Sequence, residues 1–151
     1  MNYREDQLGW NFIIILSVFM FVILTLHIFQ IGNNPLPLTI AIVFIVFTLI
    51  LTLLFFRLSV IVNKDYIKIR FGIGLIRKKF NISDISEVKK VRTKWYNGWG
   101  IRYVRNGWLY NIQGFNAVEL MYKNRKKRVL IGTKPNSNLE REIKRALGLI
   151  K

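Results

Sequence analysis

Between residues 89 and 105 the chain carries Lys89, Lys90, Arg92, Lys94, Arg102 and Arg105 without an intervening acid. Trp95, Tyr96, Trp99 and Tyr103 are interleaved with them. Clustered cations attract polyanions, and Trp and Tyr prefer the headgroup zone of a bilayer. This mixture suits an anionic lipid headgroup or a protein partner, and it also suits stacking on single-stranded nucleic acid. The candidate contact set is Lys89, Lys90, Arg92, Lys94, Trp95, Trp99, Arg102 and Arg105. The glycines at 98 and 100 offer a second reading of the same segment. They permit backbone shapes that pin the tryptophans into the domain's own core, with Arg102 bonding loop carbonyls. A further basic run, Lys123, Arg125, Lys126, Lys127 and Arg128, reads as a solvated turn.

Other chemistry has little to work with. The chain has no cysteine, so disulfides, thiol catalysis and Cys-based zinc sites are excluded. Its single histidine, His27, sits in an apolar stretch with no charged neighbour to relay or pair with, and reads as reaching the interface from near a helix end. The acids after residue 56 are scattered: Asp65, Asp84, Glu87, Glu119, Glu140 and Glu142. No histidine lies among them to act as a base, and no phosphate-loop, dinucleotide or nucleophile-elbow pattern occurs. The sequence therefore points to a non-enzyme, with no cofactor and no metal.

The elements that position the basic cluster begin with two apolar runs. Leu8 to Ile31 and Leu36 to Phe56 are each long enough to cross a hydrocarbon core of about 30 Å as a helix. Ile31-Gly32-Asn33-Asn34-Pro35-Leu36-Pro37 between them is a turn without charge. The expectation is a transmembrane hairpin over residues 1–56. The leader Met1 to Gln7 is not net positive and no small-x-small site follows the first run, which argues against a cleaved signal peptide.

Charge falls on one side of this hairpin. Residues 57–151 hold 23 of the 24 Lys and Arg and 6 of the 8 Asp and Glu, a net +17. The turn holds none. The positive-inside rule places both termini in the cytoplasm, in a multi-pass protein of the inner (cell) membrane. Arg57 directly follows Phe56, so no flexible linker separates anchor from domain. Anionic lipid is then the nearest polyanion, and nucleic acid ranks below it.

From Leu58 the pattern alternates. Strands are expected over 58–62, 66–71, 75–81, 86–94, 108–113, 117–123 and 128–133, with a loop across 95–108. Ser137 and Glu140 form a capping-box pattern, and Leu139, Ile143, Ala146, Leu147 and Ile150 share one face of a helix over about 137–149. Seven strands and one helix give an α+β chain whose sheet curls into a barrel or sandwich capped by the helix, in a domain spanning 57–151.

Several runs carry a family likeness. They are Leu58-Ser59-Val60-Ile61-Val62, Phe71-Gly72-Ile73-Gly74, and Ile85 at the head of a strand. The sharpest are Gly98-Trp99-Gly100-Ile101-Arg102, Gly107-Trp108-Leu109-Tyr110-Asn111, Gly114-Phe115-Asn116-Ala117-Val118-Glu119 and Ile131-Gly132-Thr133. Over about residues 57–150 the chain resembles the pleckstrin-homology (PH) fold, and more narrowly the bacterial PH-like domain family, whose members often carry N-terminal membrane helices. The resemblance implies a fold rather than an activity. Eukaryotic PH domains often bind phosphoinositides through the first hairpin, but here Asn63-Lys64-Asp65 offers one lysine beside an acid. The leading expectation is a membrane-anchored binding or scaffolding module that meets anionic lipid or a protein partner, or self-assembles as a homo-oligomer. The alternative is an accessory subunit of a membrane transport or export complex.

Overall fold

The computed structural model describes residues 3–104, 107–123 and 127–150, with Asn97 described in its backbone only. The chain opens with a strand, β1 (Tyr3–Leu8), and then forms helices α1 (Trp10–Ile28) and α2 (Leu38–Phe55). β2 (Arg57–Val62), β3 (Tyr66–Phe71), β4 (Ile76–Asn81) and β5 (Ile85–Arg92) follow. A 3-10 turn at Ile82–Asp84 joins β4 to β5, and after a second at Trp95–Asn97 come β6 (Gly100–Val104), β7 (Gly107–Asn111), β8 (Asn116–Tyr122), β9 (Arg128–Gly132) and the final helix α3 (Leu139–Ala146).

Both helices are long and apolar enough to cross a membrane. They run antiparallel, with Phe12 against Phe55 and Phe19 against Phe44. Only Ile23, Ala41 and Thr48 of the two are buried, so most of their apolar surface faces outward. Thr25, Thr48 and Thr52 each donate to the backbone carbonyl four residues back, at 2.7–2.9 Å, which leaves no hydroxyl of these three unpaired. The imidazole Nδ1 of His27 lies 2.9 Å from the Leu36 carbonyl. A carbonyl only accepts, so Nδ1 donates, and His27 ties the end of α1 to the turn.

The strands form two sheets. β1-β2-β3-β4 is antiparallel throughout. The second sheet has the order β5-β8-β9-β7-β6, with β7 and β9 parallel. β4 and β5 do not pair, so the strands make two facing sheets rather than a closed barrel. Alternate residues fill the space between them. Leu58, Val60, Ile67, Ile69 and Phe71 come from the first sheet, Val88, Val118, Leu120 and Ile131 from the second, and Ile112 from the bend that follows β7. α3 lies against β1, β2 and β5 and closes the gap between the sheets with Leu139 and Ile143. Full burial of each such Leu or Ile contributes about 1.5–3 kcal/mol.

Among the described residues there are nine strands where seven are expected. β1 lacks the apolar alternation of a strand because its inward face is Tyr3, Glu5 and Gln7. It pairs with β2 from Tyr3↔Val62 to Leu8↔Arg57. Glu5 is only 5% exposed. Its carboxylate accepts from the Thr133 hydroxyl at 3.1 Å, the Lys134 N–H at 2.9 Å, the Tyr3 hydroxyl at 3.0 Å and the Ser137 hydroxyl. The Gln7 amide donates to the Gly132 carbonyl at 2.7 Å. A polar edge strand is thus sealed by the β9–α3 connection. The same bonds explain why the capping box does not form. Ser137 is committed to Glu5 and to the Leu139 N–H, Asn138 takes the N-cap position, and Glu140 pairs with Lys144 instead.

Because β1 and β2 are neighbours, a division of the chain at residue 56 cuts through the first sheet. The helical hairpin is an insertion between two adjacent strands. Single residues make both junctions: Gly9 leads β1 into α1, and Phe56 leads α2 into β2. The Gly9 N–H donates to the Phe56 carbonyl at 2.8 Å, continuing the β1–β2 ladder up to the helices. A Cβ on Gly9 would lie 2.8 Å from Ile112, so this junction also packs on the bend that follows β7.

Candidate functional site

The register places the basic cluster relative to the helices. Arg92 is opposite Asn116 in the β5–β8 pair, and Gly100 is opposite Asn111 in the β6–β7 pair. Thr93 donates its N–H and hydroxyl to the Phe115 carbonyl at 2.6 and 3.1 Å. Residues 93–100 and 111–116 therefore share one end of the second sheet. That end adjoins the helix junction. A cavity of about 360 Å³ there is lined by Leu8 and Trp10 on one side and by Gln113, Gly114, Asn116 and Lys134 on the other.

On the face of the second sheet turned from the core, Leu109, Ala117 and Leu130 form a small apolar cluster, with Val91 and Val104 against it. A groove of about 510 Å³ opens on this face. Val91, Val104 and Leu130 supply its apolar lining, and Arg92, Lys94, Tyr96 and Tyr103 supply cations and aromatic rings. The Lys94 ammonium stands 5.4 Å from the centre of the Tyr96 ring. Glu119 lies in the same groove, where Arg128 pairs with it at 2.8 Å. The groove thus combines a neutralised acid with exposed cations, an arrangement that favours an anion carrying some apolar surface.

The eight residues singled out from sequence separate in space. Arg92 and Lys94 line the groove, and Trp95, next in sequence, is 80% exposed and stacks edge-on with Tyr96 at 6.1 Å. Lys89 is outside it, in an ion pair with Glu87 at 2.8 Å. The Glu87 carboxylate pushes the Lys89 ammonium above its ordinary range. Lys90 turns to the other face and donates to the Pro135 carbonyl at 2.7 Å. Arg102 follows the structural reading. Its Nε donates to the Trp99 carbonyl at 3.2 Å, and its guanidinium lies on Gly98, where a Cβ would meet it at 3.2 Å. Gly98 has φ +61°, a conformation a side chain rarely adopts. Trp99 is half-buried, and its indole N–H finds no hydrogen-bond partner among the described residues. Arg105 lies outside the described residues, as do Arg125 and Lys126 of the second basic run.

Two groove residues, Glu119 and Arg128, come from other parts of the sequence. Their positions opposite Lys89 and Met121 in the strand ladders bring them in, and no local motif signals it. Burial raises the phenols of Tyr110 and Tyr122 above their ordinary values, but both belong to the core side and serve no site. Among the described residues no group of His, Asp and Glu is arranged to hold a metal ion. Compared with known proteins, the chain matches no family model, no curated protein and no solved structure.

Proposed function

We propose that the chain is a multi-pass membrane protein in which α1 and α2 span the bilayer and the two-sheet domain, a PH-like module, rests on the anionic inner leaflet and engages its headgroups. One observation carries this reading: two outward-facing apolar helices leave and re-enter a single sheet through one residue each, Gly9 and Phe56. No slack remains for the domain to move off the surface. At 1.5 Å per residue α1 and α2 are about 28 and 27 Å long, close to the hydrocarbon thickness of about 30 Å. Both junctions then lie at the boundary between acyl chains and headgroups. The internally satisfied threonines suit a medium in which unpaired polar groups are costly.

Charge selects the side and the ligand. The net +17 after residue 56 favours the cytoplasmic face, and each cation near an anionic surface contributes about 1 kcal/mol. Arg92, Lys94, Trp95 and Tyr96 lie at the helix-bearing end of the second sheet, where headgroups are within reach. In this reading the domain binds and anchors rather than catalyses. The two facing sheets closed by α3 support the PH-like reading.

The test uses the full chain in nanodiscs of phosphatidylcholine, with or without phosphatidylglycerol. Headgroup-attached nitroxide lipids quench nearby tryptophan, and comparison with Trp95→Phe isolates the Trp95 signal. Trp95 quenching should be stronger with anionic lipid, reversed by salt, and the difference lost in an Arg92→Ser, Lys94→Ser variant. Equal quenching in both lipids, insensitive to salt, would sink headgroup engagement.

A further inference from the structure

We propose that the β3–β4 turn, Gly72 to Leu75, is a third membrane contact: it caps the end of α2 and sets Ile73 and Leu75 into the lipid interface beside it. The inference rests on the reading that α1 and α2 span the bilayer.

The last carbonyls of a helix have no partner within it. In α2 the Leu53 carbonyl accepts the Ile73 N–H at 3.1 Å, from a turn that is distant in sequence. The Gly72 N–H donates to the Arg57 carbonyl at 2.7 Å, and the Gly74 N–H closes the turn on Phe71 at 2.8 Å. The approach is close enough to require glycine. Gly72 has φ +52°, and a Cβ there would fall 2.0 Å from the Leu53 carbonyl oxygen. Phe71 and Phe55 pack ring to edge at 5.9 Å, joining the turn to the helix through side chains as well. The turn is therefore held against the final turn of α2, level with residues that face outward as lipid-facing side chains do.

At this position the side chains are the wrong kind for water. Ile73 is 59% exposed and Leu75 is 70% exposed, although the opposite turn of the same sheet is Asn63-Lys64-Asp65. Leu8 and Trp10, at the other junction, are also exposed. Leu53 of α2, whose carbonyl Ile73 meets, is itself 50% exposed, so the tip adds apolar surface beside that of the helix. A bilayer covers all of it at once, without a partner protein. Arg77 donates through Nε to the Gly74 carbonyl, which braces the turn from the strand behind it. Held by two helices and this tip, the domain has three points of attachment, and three points fix its tilt as well as its height.

The absence of native cysteine allows a direct test. Single variants Ile73→Cys, Leu75→Cys, Phe47→Cys and Lys64→Cys are spin-labelled in the full chain and reconstituted in liposomes. Collision with oxygen, which concentrates in lipid, is compared with collision with a water-soluble nickel chelate. The expected result is an oxygen-to-nickel ratio several-fold higher at 73 and 75 than at 64, approaching that at 47. If 47 reads as lipid while 73 and 75 match 64, the turn stands in water and this inference fails alone. If 47 itself matches 64, the helices do not span, and the underlying reading falls with it.

Discussion

Removal of the Glu5 carboxylate by Glu5→Ala is the sharpest perturbation of the junction between leader and domain. The carboxylate sits 5% exposed and receives the Lys134 N–H, the Thr133, Ser137 and Tyr3 hydroxyls and, at 3.3 Å, the Gln7 amide. A buried donor left without an acceptor costs about 1–3 kcal/mol. The Tyr3 and Ser137 hydroxyls can turn toward water at the surface. The Lys134 N–H is fixed in the backbone and the Thr133 hydroxyl is buried, so both lose their acceptor outright. The summed cost of the two is about 3–5 kcal/mol, and it falls on the contact that holds β1 in place. Hydrogen exchange on the full chain in nanodiscs reads this locally. At 1.4 kcal/mol per factor of ten, amides in residues 3–8 and 132–139 should exchange roughly 10²-fold to several thousand-fold faster than in the unaltered chain. Glu5→Gln keeps one acceptor oxygen and should show a smaller acceleration. Exchange in both segments within tenfold of the unaltered chain would refute the claim that the leader is a locked strand of the domain.

Two further outcomes follow from the junction. Gly72→Ala places a methyl where the Leu53 carbonyl already is and forces a positive φ on alanine. A cost of about 3 kcal/mol or more is expected, visible as lost protection of the Ile73 amide while the β8–β9 amides keep theirs. Asp6 contributes to acid sensitivity. Burial acts to raise its carboxyl, but the Ser59 hydroxyl and the Arg57 and Arg4 guanidinium groups outweigh it and leave the group below its ordinary 3.8. A depressed folded value means that the stabilisation is fully present above 3.8 and disappears as pH falls through the folded value. Asp6→Asn should therefore lower the melting temperature near neutral pH. The gap to the unaltered chain should close once pH drops well below 3.8, as followed by near-ultraviolet circular dichroism; a constant gap at all pH values would contradict this.

How much of this was legible depends on which residues carried each signal. The two helices show in unbroken apolar runs, and seven strands show in side chains that alternate toward a core. β1 was hidden for the opposite reason. Its inward residues are polar: Glu5 becomes compatible with burial because Thr133, Lys134 and Ser137, more than 120 residues away, supply donors, and Gln7 because the Gly132 carbonyl accepts its amide. β6 was hidden by the glycines that flank it; its partner Trp108–Asn111 is what makes Gly100–Val104 extended. The candidate site was legible as a composition, not as a shape. Arg92 and Lys94 reach the groove and Trp95 is exposed beside it. Lys89 and Lys90, adjacent on the same strand, are diverted by Glu87 and Pro135 to opposite faces. Strand alternation gives that split, but which face holds the groove depends on Glu119, Arg128 and Leu130, supplied by strands distant in sequence.

Topological labelling tests whether the hairpin crosses the membrane with the domain on the cytoplasmic side. Asn34→Cys places a thiol in the exposed turn between the helices, and Lys64→Cys places one in the domain turn farthest along β2 from the junction. In intact cells a membrane-impermeant maleimide should modify residue 34 and leave residue 64 untouched until the membrane is opened. Modification of 64 but not 34 would reverse the orientation, and equal modification of both before permeabilisation would contradict the spanning hairpin itself.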